Sequence, residues 1–214
     1  MSTVTEMPMP EIRRGRKFEQ VLEGARHIFM RDGFEGASVD DIAREAGVSK
    51  ATIYAYFPDK RLLFTEICTS ECHRQAELAE ADIDPDLSAR DLLGFLGHRI
   101  AEFMMSDFGR DLFRLMVGEV ARFPELARTF HAHGPGLVRE RLVTRLRALT
   151  ERGELRIEDF DLASDQFVQL CKALIHDRLL LGLVEDISPA DIERSVNGAL
   201  EMFMARYGTN PGAA

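Results

Sequence analysis

The chain has 214 residues, a net charge of −9, 45% hydrophobic and 29% charged residues, a balance that excludes collagen-like and wholly disordered classes. Its best apolar run, Leu179 to Val184, is far shorter than the ~20 residues needed to span a bilayer, so no membrane partner is expected. Residues 1–17 lack the apolar core of a signal peptide, and Cys68, Cys72 and Cys171 form no disulfide framework, so a cytoplasmic location is expected.

The charge is unevenly spread. Residues 1–65 hold ten Lys/Arg and ten Asp/Glu, whereas residues 66–214 hold 17 and 26 and so carry the whole negative balance. Arg13, Arg14, Arg16 and Lys17 crowd into five positions, a local positive field suited to phosphates whatever the total.

In chain order, residues 1–12 read as a flexible arm without periodicity. A helix is predicted over Arg16–Asp32, with Phe18, Val21, Leu22, Ala25, Ile28 and Phe29 as its buried stripe and Gly33 as its stop. Ser38 then caps a short helix with Asp40 and Asp41 in its first turn and Val39, Ile42, Ala43 and Ala46 on one face. Gly47 supplies the turn, Ser49 caps a second short helix through Phe57, and Pro58 stops it. Small Ala43 suits the helix crossing, and the outer face of the second helix shows Lys50, Thr52, Tyr54 and Tyr56 with no acid. Such a face fits a major groove; a structural helical hairpin with a solvated face is the alternative.

Asp59 caps a long helix from Lys60 to about Ala81, a connecting rod ended by the loop Asp82–Leu87. Further helices are predicted at about 88–105 and 107–122, with Asp107 as a cap, then at about 124–131, 135–151, 161–183 and 189–207. The fold class is therefore all-α. An N-terminal three-helix bundle with a helix-turn-helix covers 13–58, reaching about 66 with the start of the connecting helix. A helical bundle for regulation and dimerisation covers 60–208, and 209–214 is a disordered tail.

The last two long helices are apolar over more than a core-facing stripe. Phe167, Leu170, Ile175, Leu179 and Leu183 on one, with Ile192, Val196, Leu200 and Phe203 on the other, are expected to form a four-helix interface between two copies. The alternative is that both helices are central within one subunit.

The stretch GFEGASVDDIAREAGVSKATIYAYFPDKRLLF resembles the DNA-binding segment of TetR-type bacterial transcriptional regulators, through Ser38, Ile42, Ala43, Ala46, Gly47, Val48, Ser49, Tyr54, Phe57, Lys60 and Leu63. The run Gly118-Glu119 through Arg122-Phe123-Pro124-Glu125-Leu126-Ala127, followed by Gly134-Pro135, resembles the AefR-like group of regulatory domains. The resemblance implies a homodimeric, ligand-responsive regulator, most readily a repressor of duplex operator DNA, with no cofactor. Ser38 and the amides from Val39 would meet a phosphate. Lys50, Ala51 and Thr52, on the helix capped by Ser49, would meet base edges, and Tyr54, Tyr56 and Lys60 would hold phosphates. Lys50-Ala51 and Tyr56 depart from common family residues, so no operator sequence carries over.

The same resemblance implies an effector site between helices. Phe95, Ile100, Phe103, Met104, Phe113, Met116, Val120, Phe123, Phe130, Phe167, Leu170, Cys171 and Leu174 are its candidate lining, with plain core packing the alternative for each. Glu119, among apolar neighbours, either reads a ligand donor or pairs with Arg122 or Arg178. The effector is expected to be apolar or amphipathic and to act by shifting the Lys60–Ala81 helix, which changes the spacing of the two reading helices. Cys68, Cys72 and Cys171 leave redox sensing open; Cys68 and Cys72 with His73, and His131-x-His133, fall short of a metal set, and no metal is expected. G-x-S-x-G, P-loop and H-E-x-x-H patterns are absent from the sequence, so no enzyme is expected. A helical interaction module without DNA would leave the basic cluster unexplained.

Overall fold

Apolar residues recur every third or fourth position after Gly15, and that period folds as α1 (Arg16–Gly36), burying Phe18, Val21, Ala25, Ile28 and Phe29. The computed structural model describes residues 15–81, 83–84, 86–173 and 175–209. Arg13, Arg14, Leu174 and the expected tail from 210 on lie outside them. The chain forms two units, up to Ile67 and from Cys68, with the division inside α4 (Lys60–Ala81).

In the first unit α1 is interrupted at Gly33, whose φ of 74° and ψ of 173° leave the helical region. The break turns Phe34 into the core, where its ring lies 5.8 Å from Phe29 at 14°, and Phe64 of α4 meets both rings edge-on at 5.1 and 5.5 Å. Phe34 is 1% exposed, so the residue that follows the expected stop at Gly33 is a core residue. Val39, expected in that core, is half-buried. The tightest approach is between α1 and α2 (Val39–Glu45), at a residue the sequence pattern did not single out. A Cβ on Gly24 would stand 2.7 Å from the Ala46 nitrogen and 2.8 Å from its Cβ, so only glycine lets these helices touch.

The second unit contains α5 (Ala89–Met105), α6 (Asp107–Glu119), α7 (Pro124–His133), α8 (Pro135–Glu151), α9 (Phe160–Cys171), α10 (His176–Leu180) and α11 (Pro189–Tyr207). Helices α5, α8, α9 and α11 share a core that includes Leu93, Leu146, Phe167, Cys171, Val196 and Phe203. Gly97 makes the close fit possible: a Cβ there would lie 2.9 Å from Val196 and 3.2 Å from both Cys171 and Phe167. The late part of α4 is tied to α8 by an ion pair from Arg145 to Glu80.

Three expected features differ. Ser106, not Asp107, caps α6: its hydroxyl accepts from the Gly109 amide at 3.1 Å and donates to the Phe103 carbonyl at 2.7 Å. The single helix expected over 161–183 is divided into α9 and α10. Ser195 of α11, 8% exposed, places its hydroxyl 2.9 Å from the Cys171 carbonyl and 2.8 Å from that of Ala173. A donor from another helix meets the carbonyls that an α9 ending there leaves open. The chain end is also partly held, since the Thr209 amide donates to the Glu154 carbonyl at 3.1 Å beside an antiparallel bridge of Leu155 with Gly208.

Candidate nucleic-acid interface

The helix-turn-helix is built from local capping. The Ser38 hydroxyl accepts from the Asp41 amide at 3.1 Å and donates to its carboxylate at 2.5 Å, while Arg44 reaches the same carboxylate at 2.8 Å. The Ser38 hydrogen bond, then Arg44, lowers the Asp41 pKa below its ordinary value. At the far end of α2, Gly47 takes φ 64°. The Gly47 amide bonds the Arg44 carbonyl at 3.3 Å and the Val48 amide bonds that of Ala43 at 3.0 Å. This paired pattern closes a helix through a left-handed residue, and a side chain at position 47 would strain it. Ser49 then caps α3 (Lys50–Tyr56) by accepting from the Thr52 amide at 3.1 Å.

On this frame Ile53 and Phe57 point inward, each 1% exposed, and Lys50, Ala51 and Tyr54 point outward. Tyr54 is 50% exposed and free to reach along a backbone. Tyr56 is half-buried, its ring edge-on to Phe18 at 5.6 Å, so its body is fixed. Thr52 is half-buried with its hydroxyl 2.9 Å from that of Ser49. Arg16 and Lys17 are exposed at the start of α1. The face of α3 is not as free of acid as the sequence of α3 implies: Asp40 of α2 reaches over to Lys50, Oδ1 to Nζ 2.6 Å. That contact raises the Lys50 pKa above its usual value.

Lys60, expected to hold a phosphate, is placed here against the protein's own backbone. Its ammonium donates to the carbonyls of Ala37 at 3.0 Å and Glu35 at 3.3 Å, and lies 4.8 Å from the centre of the Phe34 ring. These contacts close the end of α1 against the start of α4, so the charge meets carbonyls and a ring face. A lysine at a helix start gives no sequence signal for this, because its partners are 23 and 25 residues away.

In the second unit the expected pocket residues fall into different environments. Phe167 and Cys171 are 0% exposed in the main core, with Leu170 packed at its edge. Met104 packs on a smaller cluster of Met105, Ile175 and Leu179. Met116 is buried, Val120 is exposed, and Phe95, Ile100, Phe103, Phe113, Phe123 and Phe130 are half-buried. Phe113 lies edge-on to the buried His176 at 5.3 Å. The Glu119 Oε2 is shielded from solvent and has no hydrogen-bond partner among the described residues, leaving an acceptor for a donor.

Of the residues expected between two copies, Phe167, Val196, Leu200, Phe203, Ile175 and Leu179 are buried within this chain. Ile192 is partly buried on the same clusters and Leu183 is exposed. The outward face of α9 and α11 is instead a groove lined by Leu162, Leu170, Met202, Gln169 and Arg206, among others. Leu162 and Met202 are 51% and 61% exposed. Burial drives the Cys72 thiol up to about 11 and Cys171 to about 12, with Cys68 also well above the ordinary value. Such thiols hold almost no nucleophilic thiolate near neutral pH.

Residues 21–67 match the family of bacterial regulatory proteins of the tetR type, and residues 91–209 match the AefR-like transcriptional repressor C-terminal domain. Over 60 residues, 28% of this chain, the sequence is 37% identical to the HTH-type transcriptional repressor AcnR of Corynebacterium diphtheriae. That stretch spans only 32% of the repressor's own length. Among solved structures, a TetR-family transcriptional regulator from Mesorhizobium loti superposes with a TM-score of 0.84 at 26% identity, over 93% of this chain and 100% of that one. The flavonoid-responsive regulator FrrA superposes at 0.74 with 32% identity, over 92% of this chain and 100% of its own.

Proposed function

The chain belongs to the TetR family of bacterial transcriptional regulators, with an AefR-like C-terminal domain, and on that premise we propose that it is a ligand-released repressor. Two copies hold duplex operator DNA through α3, and an apolar or amphipathic small molecule bound in the second unit loosens that hold. The observation that carries this reading is the α2–α3 pair. Capping at Ser38 and Ser49 and the Gly47 turn fix a short helix whose outward side chains are Lys50, Ala51 and Tyr54. Lys50 and Ala51 serve base edges, Tyr54 a phosphate, and Arg16 and Lys17 the flanking backbone.

One seven-residue helix reads too little sequence for specificity, so a second copy is part of the proposal. Its seat is the groove of α9 and α11, where Leu162, Leu170 and Met202 lie beside Gln169 and Arg206. The effector class rests on the half-buried Phe95, Phe103, Met104, Phe113 and Phe130 of α5 to α7 and on the flavonoid response named for FrrA, a protein similar over its whole length. Glu119 then supplies an acceptor to a ligand hydroxyl or cation. The buried, high-pKa thiols speak against a redox trigger.

The test is binding to a duplex carrying the protein's own promoter region. Binding is expected to weaken steeply with salt, to drop on Tyr54→Phe without loss of fold or dimer, and to be relieved by a flavonoid panel that also raises the melting temperature. A salt-insensitive association would sink the DNA reading. A compound that stabilises the protein yet leaves DNA affinity unchanged would sink the release mechanism, because only differential affinity moves the equilibrium.

A further inference from the structure

The reading helix α3 carries one cation, Lys50, and the structure gives it to a neighbour. Its Nζ stands 2.6 Å from Asp40 Oδ1 in the first turn of α2, and the two side chains are 54% and 62% exposed. The two acids of that turn divide the work. Asp41 is committed to the Ser38 cap and Arg44, whereas Asp40 reaches across to Lys50. Folding does not account for this pair. The α2–α3 angle is already set by the Gly47 closure and the Ser49 cap, and an ion pair this exposed adds little stability.

We propose that Asp40 is a specificity-setting residue of the reading head, holding the Lys50 ammonium in the DNA-free protein so that duplex DNA must compete with a carboxylate for it. The inference rests on the DNA-binding reading above. A phosphate is offered by every duplex, and winning Lys50 from Asp40 merely exchanges one anionic partner for another, so non-operator DNA gains little. A base edge placed to accept from Lys50 while phosphates hold Tyr54 and the start of α1 gains that contact as part of a matched set. Asp40 thus subtracts from indiscriminate binding more than from the operator complex, and the ratio of the two is what decides occupancy in a genome.

The experiment uses the full chain and two probes: a mixed-sequence 30-base-pair duplex, and an operator recovered by selecting a random duplex library on the wild type. Asp40→Asn is expected to bind the mixed duplex about two- to fivefold more tightly at low salt, with a log–log salt slope steeper by up to about 0.9. The gain on the operator should be smaller, so the specificity ratio falls. In a Lys50→Gln background most of the Asp40→Asn gain should vanish, which separates release of Lys50 from simple loss of a repelling charge. Asp40→Ser serves as a second variant if Asp40→Asn folds poorly. Unchanged or weaker binding to the mixed duplex overturns the proposal, as does an equal gain with and without Lys50. If the wild type binds neither duplex, or binds without salt dependence, the DNA reading falls and this inference with it; if the wild type binds normally and only the variants disappoint, the inference falls alone.

Discussion

In the reading head the ends of α2 and α3 are closed by near neighbours, and in the second unit the ends of α9 and α10 are closed from far away. Ser38 takes the Asp41 amide, Ser49 takes that of Thr52, and Gly47 with Val48 returns to Arg44 and Ala43. By contrast, the carbonyls at the end of α9 are met by Ser195, 24 and 22 residues on. Those at the end of α10 are met by Arg114 of α6, whose guanidinium donates to the Leu179 and Leu180 carbonyls at 2.6 and 3.0 Å. The difference suits the two jobs. A helix pair proposed to present side chains to DNA in one fixed geometry is specified within twenty residues. In the bundle proposed to respond to a ligand, the ends of α9 and α10 are placed by the packing around them.

That contrast can be broken by mutation. The largest effect should come from the packed unit: Phe167→Ala empties a fully buried site where α5, α9 and α11 meet, and should cost about 3–5 kcal/mol in chemical denaturation. Next come the two kinds of cap. Ser195→Ala strands the buried Cys171 carbonyl and should cost about 1–3 kcal/mol, more than the ~1 kcal/mol expected for the exposed local cap in Ser49→Ala. Equal losses would remove the distinction between near and distant closure.

Lys60 offers a sharper test, because it is a distant joint inside the reading head. If it fastens α1 to α4, Lys60→Gln lowers the melting temperature and operator affinity while the salt slope stays as it was. A slope shallower by about 0.9 with an unchanged melting temperature would restore the phosphate clamp.

The smallest effect is one of pH. Burial of His176, aided by the nearby Lys172 charge and opposed by Asp177, lowers its pKa below 6.5. The unfolded chain then takes up a proton more readily than the folded one, so stability falls as the pH drops below about 6.5. His176→Gln should flatten that limb of the stability–pH curve.

The legible parts of the sequence are those whose causes lie close along the chain. Ser38, Gly47, Ser49 and Pro58 each act within a turn, so they placed the helix-turn-helix without any tertiary information. The all-α class and the family likeness followed from the same residues. Tertiary structure decided what depends on partners far away in sequence. It moved the cap of α6 to Ser106, divided the helix expected over 161–183, turned Phe34 inward and made Lys60 a fastening. It also carried most of the apolar stripe of α9 and α11 into the chain's own core, leaving Leu162 and Met202 outside. Periodicity reveals that a helix has an apolar face; which partner covers that face is set by the other helices. The same holds for Lys50. Its place on the outer face of α3 is written in the sequence, but the carboxylate waiting 2.6 Å away comes from another helix and exists only once the two have packed.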